Sequence, residues 1–393
     1  MSATRRRITA QAYAALTCLS LAAGGAVAAS ATTETVDRAA ETYEAYTSNA
    51  TVATNIPQVH TFVDAPKGFD PLTAGTAELA AYGFPPRPDS ATEPEHYALW
   101  RRAMAAARIR WHGALKPITT PKTPEDAVTA AEEMSPEVTV ASARKATSKN
   151  WGGLVLTKSL TKWNSGQSFR DIYSVMTVPV GQPAFASICD SYFSRTFVGL
   201  NGYVKGAALQ PGAGQGSLIG GFQTLTDCSK NDSFYYAIFG WDPGYIQGAF
   251  SVQPGDLVYT EVTSPPHGVY DSYLFIEDLT TLSYSAYSIP VQYAFVGNSA
   301  EWVVERPCCE FIGIAYPLVN SIDTFFDGGA AIDNAGQTLY PGSQASSAQV
   351  ITMQDDAGDQ TILNVYTGSS GSEGLHALRL ETTGCAYTGG CVK

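Results

Sequence analysis

"QTLTDCSKNDSFYYAIFGW", residues 223–241, decides the fold. Two runs rich in Thr, Tyr, Phe and Ile flank the turn-forming Lys230-Asn231-Asp232, so the segment predicts a β-hairpin. Runs of the same make-up recur on both sides of it: "RDIYSVMTVPV" (170–180), "RTFVGLNGY" (195–203), "DLVYTEVTS" (256–264), "SYLFIEDLT" (272–280) and "AEWVVERP" (300–307). Gly, Pro, Asn and Asp punctuate them. A series of this kind predicts an antiparallel β-sandwich or barrel.

The composition agrees with a turn-rich β protein. Of 393 residues only 15% are charged, while Gly (36), Pro (22) and Tyr (21) are plentiful. Charge also divides the chain near residue 149. Residues 1–148 hold 14 Lys+Arg against 15 Asp+Glu, and residues 149–393 hold 10 against 21, net −1 and −11. The first part carries helical patterns instead of strands. "EPEHYALWRRAMAAARIRW" (93–111) predicts a helix with a basic face of Arg101, Arg102, Arg108 and Arg110; "TAELAAYGF" (76–84) is too short to assign. "TPEDAVTAAEEM" (123–134) has Thr123 as N-cap, Pro124 as first helical residue and acids in the first turn.

The first 28 residues read as an export signal, with Arg5, Arg6 and Arg7, an apolar stretch, and Ala26-Val27-Ala28 as cleavage site. The organisation expected is therefore a signal peptide (1–28), a proregion or accessory segment (29–148) and a β-sandwich domain (149–393). No later run approaches the length of a membrane span, so a secreted, extracellular monomer without membrane attachment is expected. Six cysteines follow the signal: Cys189, Cys228, Cys308, Cys309, Cys385 and Cys391. An even number in an exported chain suggests disulfides. Cys385 and Cys391 are the expected pair, and the connectivity of the other four is open.

Several chemistries are excluded. There is no G-x-S-x-G elbow, HExxH, P-loop or aspartic-protease loop. The acidic second part does not suit nucleic acid. No cysteine has zinc spacing, and His267 and His376 are the only histidines after residue 113, so neither metal nor cofactor is expected. What remains is carboxylate and amide chemistry. In the strand "AEWVVE", Glu301 and Glu305 point to one face.

Six motifs in order then carry a resemblance: "NWGG" (150–153), "FVGLNGY" (197–203), a Gln-Thr opening the hairpin, "VQPGDLV" (252–258), "IEDLTT" (276–281) and "AEWVVE" (300–305). Together they resemble the glutamic peptidases (eqolisins) over roughly residues 148–380. "YGFPPRPD" (82–89) and "HYALW" (96–100) are similar to the proregion of bacterial members. The resemblance implies a two-sheet antiparallel β-sandwich of the concanavalin-like jelly-roll type, and a zymogen that cleaves proteins or peptides in acid with a Gln-Glu dyad. It places the catalytic Glu on Glu305, with Glu301 as a neighbour. The partner is Gln223, favoured by the length of the hairpin after it, or else Gln210. Phe197, Asn201, Asp227, Trp241 and Glu301 are the expected substrate-binding residues. The chain departs from the family at Phe197 (usually Trp), Asn201 (Asp), Gly240 (Glu) and Arg306 (often Asp), several of them cleft positions. The alternative is a non-catalytic sandwich that binds peptide or carbohydrate through an aromatic cleft containing Trp241.

Overall fold

The computed structural model describes residues 51–105, 108–119, 139–142, 145–158, 168–182, 191–203, 216–227, 229–230, 232–242, 245–264, 272–290, 295–307, 316–321, 323–341, 348–367 and 377–383. The expected signal peptide, the expected 123–134 helix, Gln210, His267, His376 and all seven cysteines, the expected Cys385–Cys391 pair included, lie outside them.

The principal strands are β1 (Lys116–Thr119), β2 (Trp151–Thr157), β3 (Phe169–Thr177), β4 (Ser191–Leu200), β5 (Ser217–Asp227), β6 (Asp232–Asp242), β7 (Tyr245–Ser251) and β8 (Leu257–Thr263). They continue with β9 (Ser272–Asp278), β10 (Ser283–Ile289), β11 (Ser299–Glu305), β12 (Thr324–Asp333), β13 (Ala348–Gln354), β14 (Thr361–Thr367) and β15 (Ala377–Thr382). Each of the five recurring runs overlaps one of these strands, and the 223–241 segment overlaps two. The hairpin β5–β6 begins earlier than its sequence suggests, because Gly220 and Gly221 break the β-former pattern inside β5.

Antiparallel pairing gives a front sheet in the order β13–β2–β11–β4–β5–β6–β7–β1. The back sheet runs β15–β12–β3–β8–β9–β10. Strand β14 pairs with both β13 and β15, so one side of the sandwich is closed by a continuous ladder. Alternation along the strands drives the layering. Leu154, Val198, Leu218, Phe222, Phe239, Trp302 and Val304 of the front sheet meet Ile172, Met176, Val258, Val262, Leu274 and Phe326 of the back sheet in the central core. The chain is an all-β sandwich.

Two short helices, α1 (Thr76–Ala81) and α2 (Pro94–Met104), lie on the outer face of the back sheet. Leu79, Phe84, Trp100 and Met104 pack there against Tyr173, Tyr259, Phe275 and Tyr284. Burying each such side chain contributes about 1.5–3 kcal/mol, so this layer is firmly docked. The "YGFPPRPD" motif supplies much of the fit. Phe84 stacks on Tyr284 at 5.3 Å, and Arg87 donates to the carbonyls of Pro71, Leu72 and Ala74 while its guanidinium lies over Trp100.

Only part of the predicted basic helix face forms: Arg101 and Arg102 lie exposed in the last turn of α2. α2 ends at Met104, and Arg108 and Arg110 follow it in extended chain. Arg108 Nε donates to Glu277 at 2.7 Å, while Arg110 donates to the carbonyls of Phe62 and Tyr82. The helix binds the sandwich by its apolar stripe and by His96, which stacks on Tyr173 at 3.8 Å between Glu93 and Glu261.

Candidate active site

One register row crosses the outer face of the front sheet. Trp151, Glu305, Arg195, Gln223 and Tyr236 are successive partners on β2, β11, β4, β5 and β6. Register partners point to the same face, so all five side chains share this surface, away from the central core. Val303 and Phe197 form the next row on that face, and Trp151 meets Phe197 edge-on with centroids 5.8 Å apart. Ile219, Ile238 and Ile246 extend the apolar floor.

At the centre is the Arg195 guanidinium. Its Nε donates to Gln223 Oε1 at 3.0 Å; its Nη1 donates to Glu305 Oε2 at 3.3 Å and to Asp242 Oδ1 at 3.1 Å. Trp151 Nε1 donates to the other Glu305 oxygen at 3.2 Å. Asp242 lies six residues along β6 from Tyr236, which in a flat sheet would be about 20 Å. Its contact with Arg195 therefore requires this face to be strongly concave. Glu305 and Gln223 are both buried on this face. They are joined through Arg195, two strands apart.

Burial pushes the Asp242 carboxyl well above its ordinary range, and the neighbouring Glu305 adds to this while Arg195 opposes it. Two acids and one guanidinium in a dry site cannot all be charged cheaply, so Asp242 favours its neutral form.

The remaining expected residues separate into different roles. Glu301 is on the Glu305 face but is a structural acceptor: it takes hydrogen bonds from Gly202 N (2.7 Å), Tyr203 N (3.0 Å), Ser299 Oγ (2.7 Å) and Ser217 Oγ. Burial raises its pKa even against those four donors. Asn201, at φ 81°, accepts from Val296 N and Gly297 N and donates to Gly216 O, so it holds the same turn. An Asp there would lack the donor for Gly216. Asp227 caps the hairpin turn, accepting from Ser229 and Lys230, which lower its pKa to about 2. Trp241 is a correction: by strand alternation it faces the central core, where it is buried and donates to Pro290 O at 3.0 Å. It lines no part of the cleft. Gly240, where a Glu was expected from the family, has φ 141°, a conformation that a side chain would strain.

Arg195, Asp242 and Trp151 are the site residues that the motif reading passed over. The signal for Arg195 was available, since it precedes Phe197 by two and so shares its face. Nothing local in the sequence marks Asp242, whose place depends on sheet curvature. Among the described residues no group of three or more His, Cys, Asp or Glu could hold a metal.

The peptidase A4 family model matches residues 149–374, more than half of the chain. The chain belongs to the peptidase A4 family, the glutamic peptidases. Three solved structures resemble this glutamic peptidase at 18% identity. Scytalido-glutamic peptidase with a transition state analog inhibitor aligns over 60% of this chain and 98% of its own, with a TM-score of 0.44. SCP-B, an eqolisin bound to the tripeptide Ala-Ile-His, gives the same coverage and a TM-score of 0.43. Aspergilloglutamic peptidase from Aspergillus niger covers 49% of this chain and 99% of its own, with a TM-score of 0.37. No curated protein sequence matches the chain. As a glutamic endopeptidase it acts on proteins or peptides.

Proposed function

We propose that this peptidase hydrolyses peptide bonds in acid with Glu305 as general base and Gln223 as amide partner. The observation that carries the reading is that both lie in one register row of a concave face, held by the same guanidinium. Glu305 takes a proton from a water whose oxygen attacks the scissile carbonyl carbon. The Gln223 amide N–H stabilises the oxyanion without changing charge. As the C–N bond breaks, Glu305 returns the proton to the leaving amine. Raised pKa values at Asp242 and Glu301 are consistent with a site that works in acid.

We further propose that the protein is exported as a zymogen whose residues 29–148 are the proregion, and that Cys385 and Cys391 are bonded. The proregion reading is supported by β1, which adds to β7 at the edge of the site sheet. There Ile118 joins the apolar floor and Lys116 Nζ stands 4.9 Å above the Tyr236 ring, in the row of Gln223. The non-catalytic alternative loses its main aromatic, because Trp241 is in the core. The test is cleavage of a denatured protein by the processed enzyme at acidic pH, beside Glu305→Gln. Turnover lost in the variant supports the reading; an inert parent enzyme or an active variant overturns it.

A further inference from the structure

We propose that Arg195 is the positioning residue of this site, fixing which atom Gln223 presents to substrate and, together with Asp242, holding the Glu305 carboxylate in its working place. This rests on the Gln223–Glu305 reading above and goes beyond it by assigning what orients the pair.

A guanidinium has only donors. Whatever atom of Gln223 faces Arg195 Nε must therefore be the amide oxygen, as the 3.0 Å contact has it. That choice turns the amide nitrogen away from the cation and leaves it as the group directed elsewhere. An unrestrained Gln amide can present either end. The dyad chemistry needs the N–H end, so Arg195 selects the productive orientation. The rigid fork of the guanidinium suits this task, since its Nε and Nη1 address different partners on strands β5, β6 and β11 at once.

The second half of the role concerns charge. Glu305 faces Arg195 from β4 and Asp242 from β6, with the neutral Trp151 on its other side. Glu301 acts on Asp242 from further along β11, and Lys116 of β1 lies beyond Tyr236. With one cation between two buried acids, the arrangement favours one carboxylate and one neutral acid. Arg195 and Trp151 donate to Glu305 from two sides, while burial and the neighbouring Glu305 make Asp242 the acid that takes the proton.

The experiment uses the processed enzyme and a quenched peptide substrate, with kcat and KM measured across pH. In Arg195→Gly, kcat falls about a hundredfold with KM little changed, the scale expected when reacting groups are misplaced by about 1 Å. Millimolar guanidinium chloride, against sodium chloride at equal ionic strength, restores part of that rate in Arg195→Gly and none in Glu305→Gln. In Asp242→Asn, which fixes the uncharged state, the alkaline limb of the pH–rate profile moves upward. Where Arg195→Gly does not fold by circular dichroism, Arg195→Lys is read instead; it keeps the charge but not the fork, and a lowered kcat with a displaced pH profile is expected. Parental kcat and profile in the Arg195 variants, with Glu305→Gln inactive, would overturn the proposal and leave the dyad standing. An active Glu305→Gln enzyme would overturn the dyad first, and the proposal with it.

Discussion

Gly199 leaves room for the Glu301 carboxylate: a Cβ there would stand 2.6 Å from Glu301 Oε2 and 2.4 Å from Ser217 Oγ. The glycine of "FVGLNG" is thus explained by a neighbour on another strand, and Glu301 by the turn it anchors. Glu301→Ala strands two buried backbone N–H groups and two hydroxyls, each costing about 1–3 kcal/mol, so we expect a loss of roughly 3 kcal/mol or more. Urea midpoints measure it; a midpoint within error of the parent would sink the structural role. Strand period alone gave Glu301 and Glu305 the same face, which is correct, but could not tell them apart. Their partners, an N–H-rich turn for one and a guanidinium with an indole for the other, come from strands distant in sequence.

At the level of elements, legibility followed burial on both sides of a strand. "AEWVVE" and "SYLFIED" are dense in β-branched and aromatic residues and could be read directly, because both of their faces are covered. β12 hides behind Gly328 and Gly329 and a register shift against β3, and β1 behind Pro117. Proline is tolerated in β1 because the strand lies at the edge of the sheet, where a missing N–H forfeits no ladder bond on the open side. α2 was legible in its apolar stripe, but its end was not, since Arg108 and Arg110 suit a helix until tertiary partners claim them. β1 is held by its ladder to β7, by Lys116 over Tyr236 and by Ile118 packed against the apolar floor. Ile118→Asp should therefore free β1 from β7. The expected result is faster cutting between residues 105 and 145 in limited proteolysis followed by mass spectrometry; an unchanged cutting rate would show that β1 is held by something else.

For the whole molecule, pH acts in part through two buried groups on the outer side of the back sheet, Glu277 and His96. Burial raises Glu277 from 4.5 to about 8 against the opposing pull of Arg108. For His96, burial acts to lower the pKa, but hydrogen bonds to Glu261 and Glu93 outweigh it and lift the value from 6.5 to about 9. Both folded values exceed the unfolded ones, so the folded state binds protons more tightly. The Glu277 contribution is complete below about pH 4.5 and lost as pH rises to about 8; that of His96 is complete below about 6.5 and lost by about 9. The full chain should melt at a higher temperature at pH 5 than at pH 8.5 in calorimetry, and the reverse order would contradict these assignments. Other residues before 149 guard the side of the sandwich that β14 leaves open, because β1 covers β7 while His60–Phe62 and Ile109–Arg110 cover β10. Stripping residues before 149 would bare two rows of backbone donors and acceptors at once. If residues before 149 are removed as proposed, the full chain is the form suited to storage at high concentration, and the trimmed enzyme the one prone to self-association as it ages.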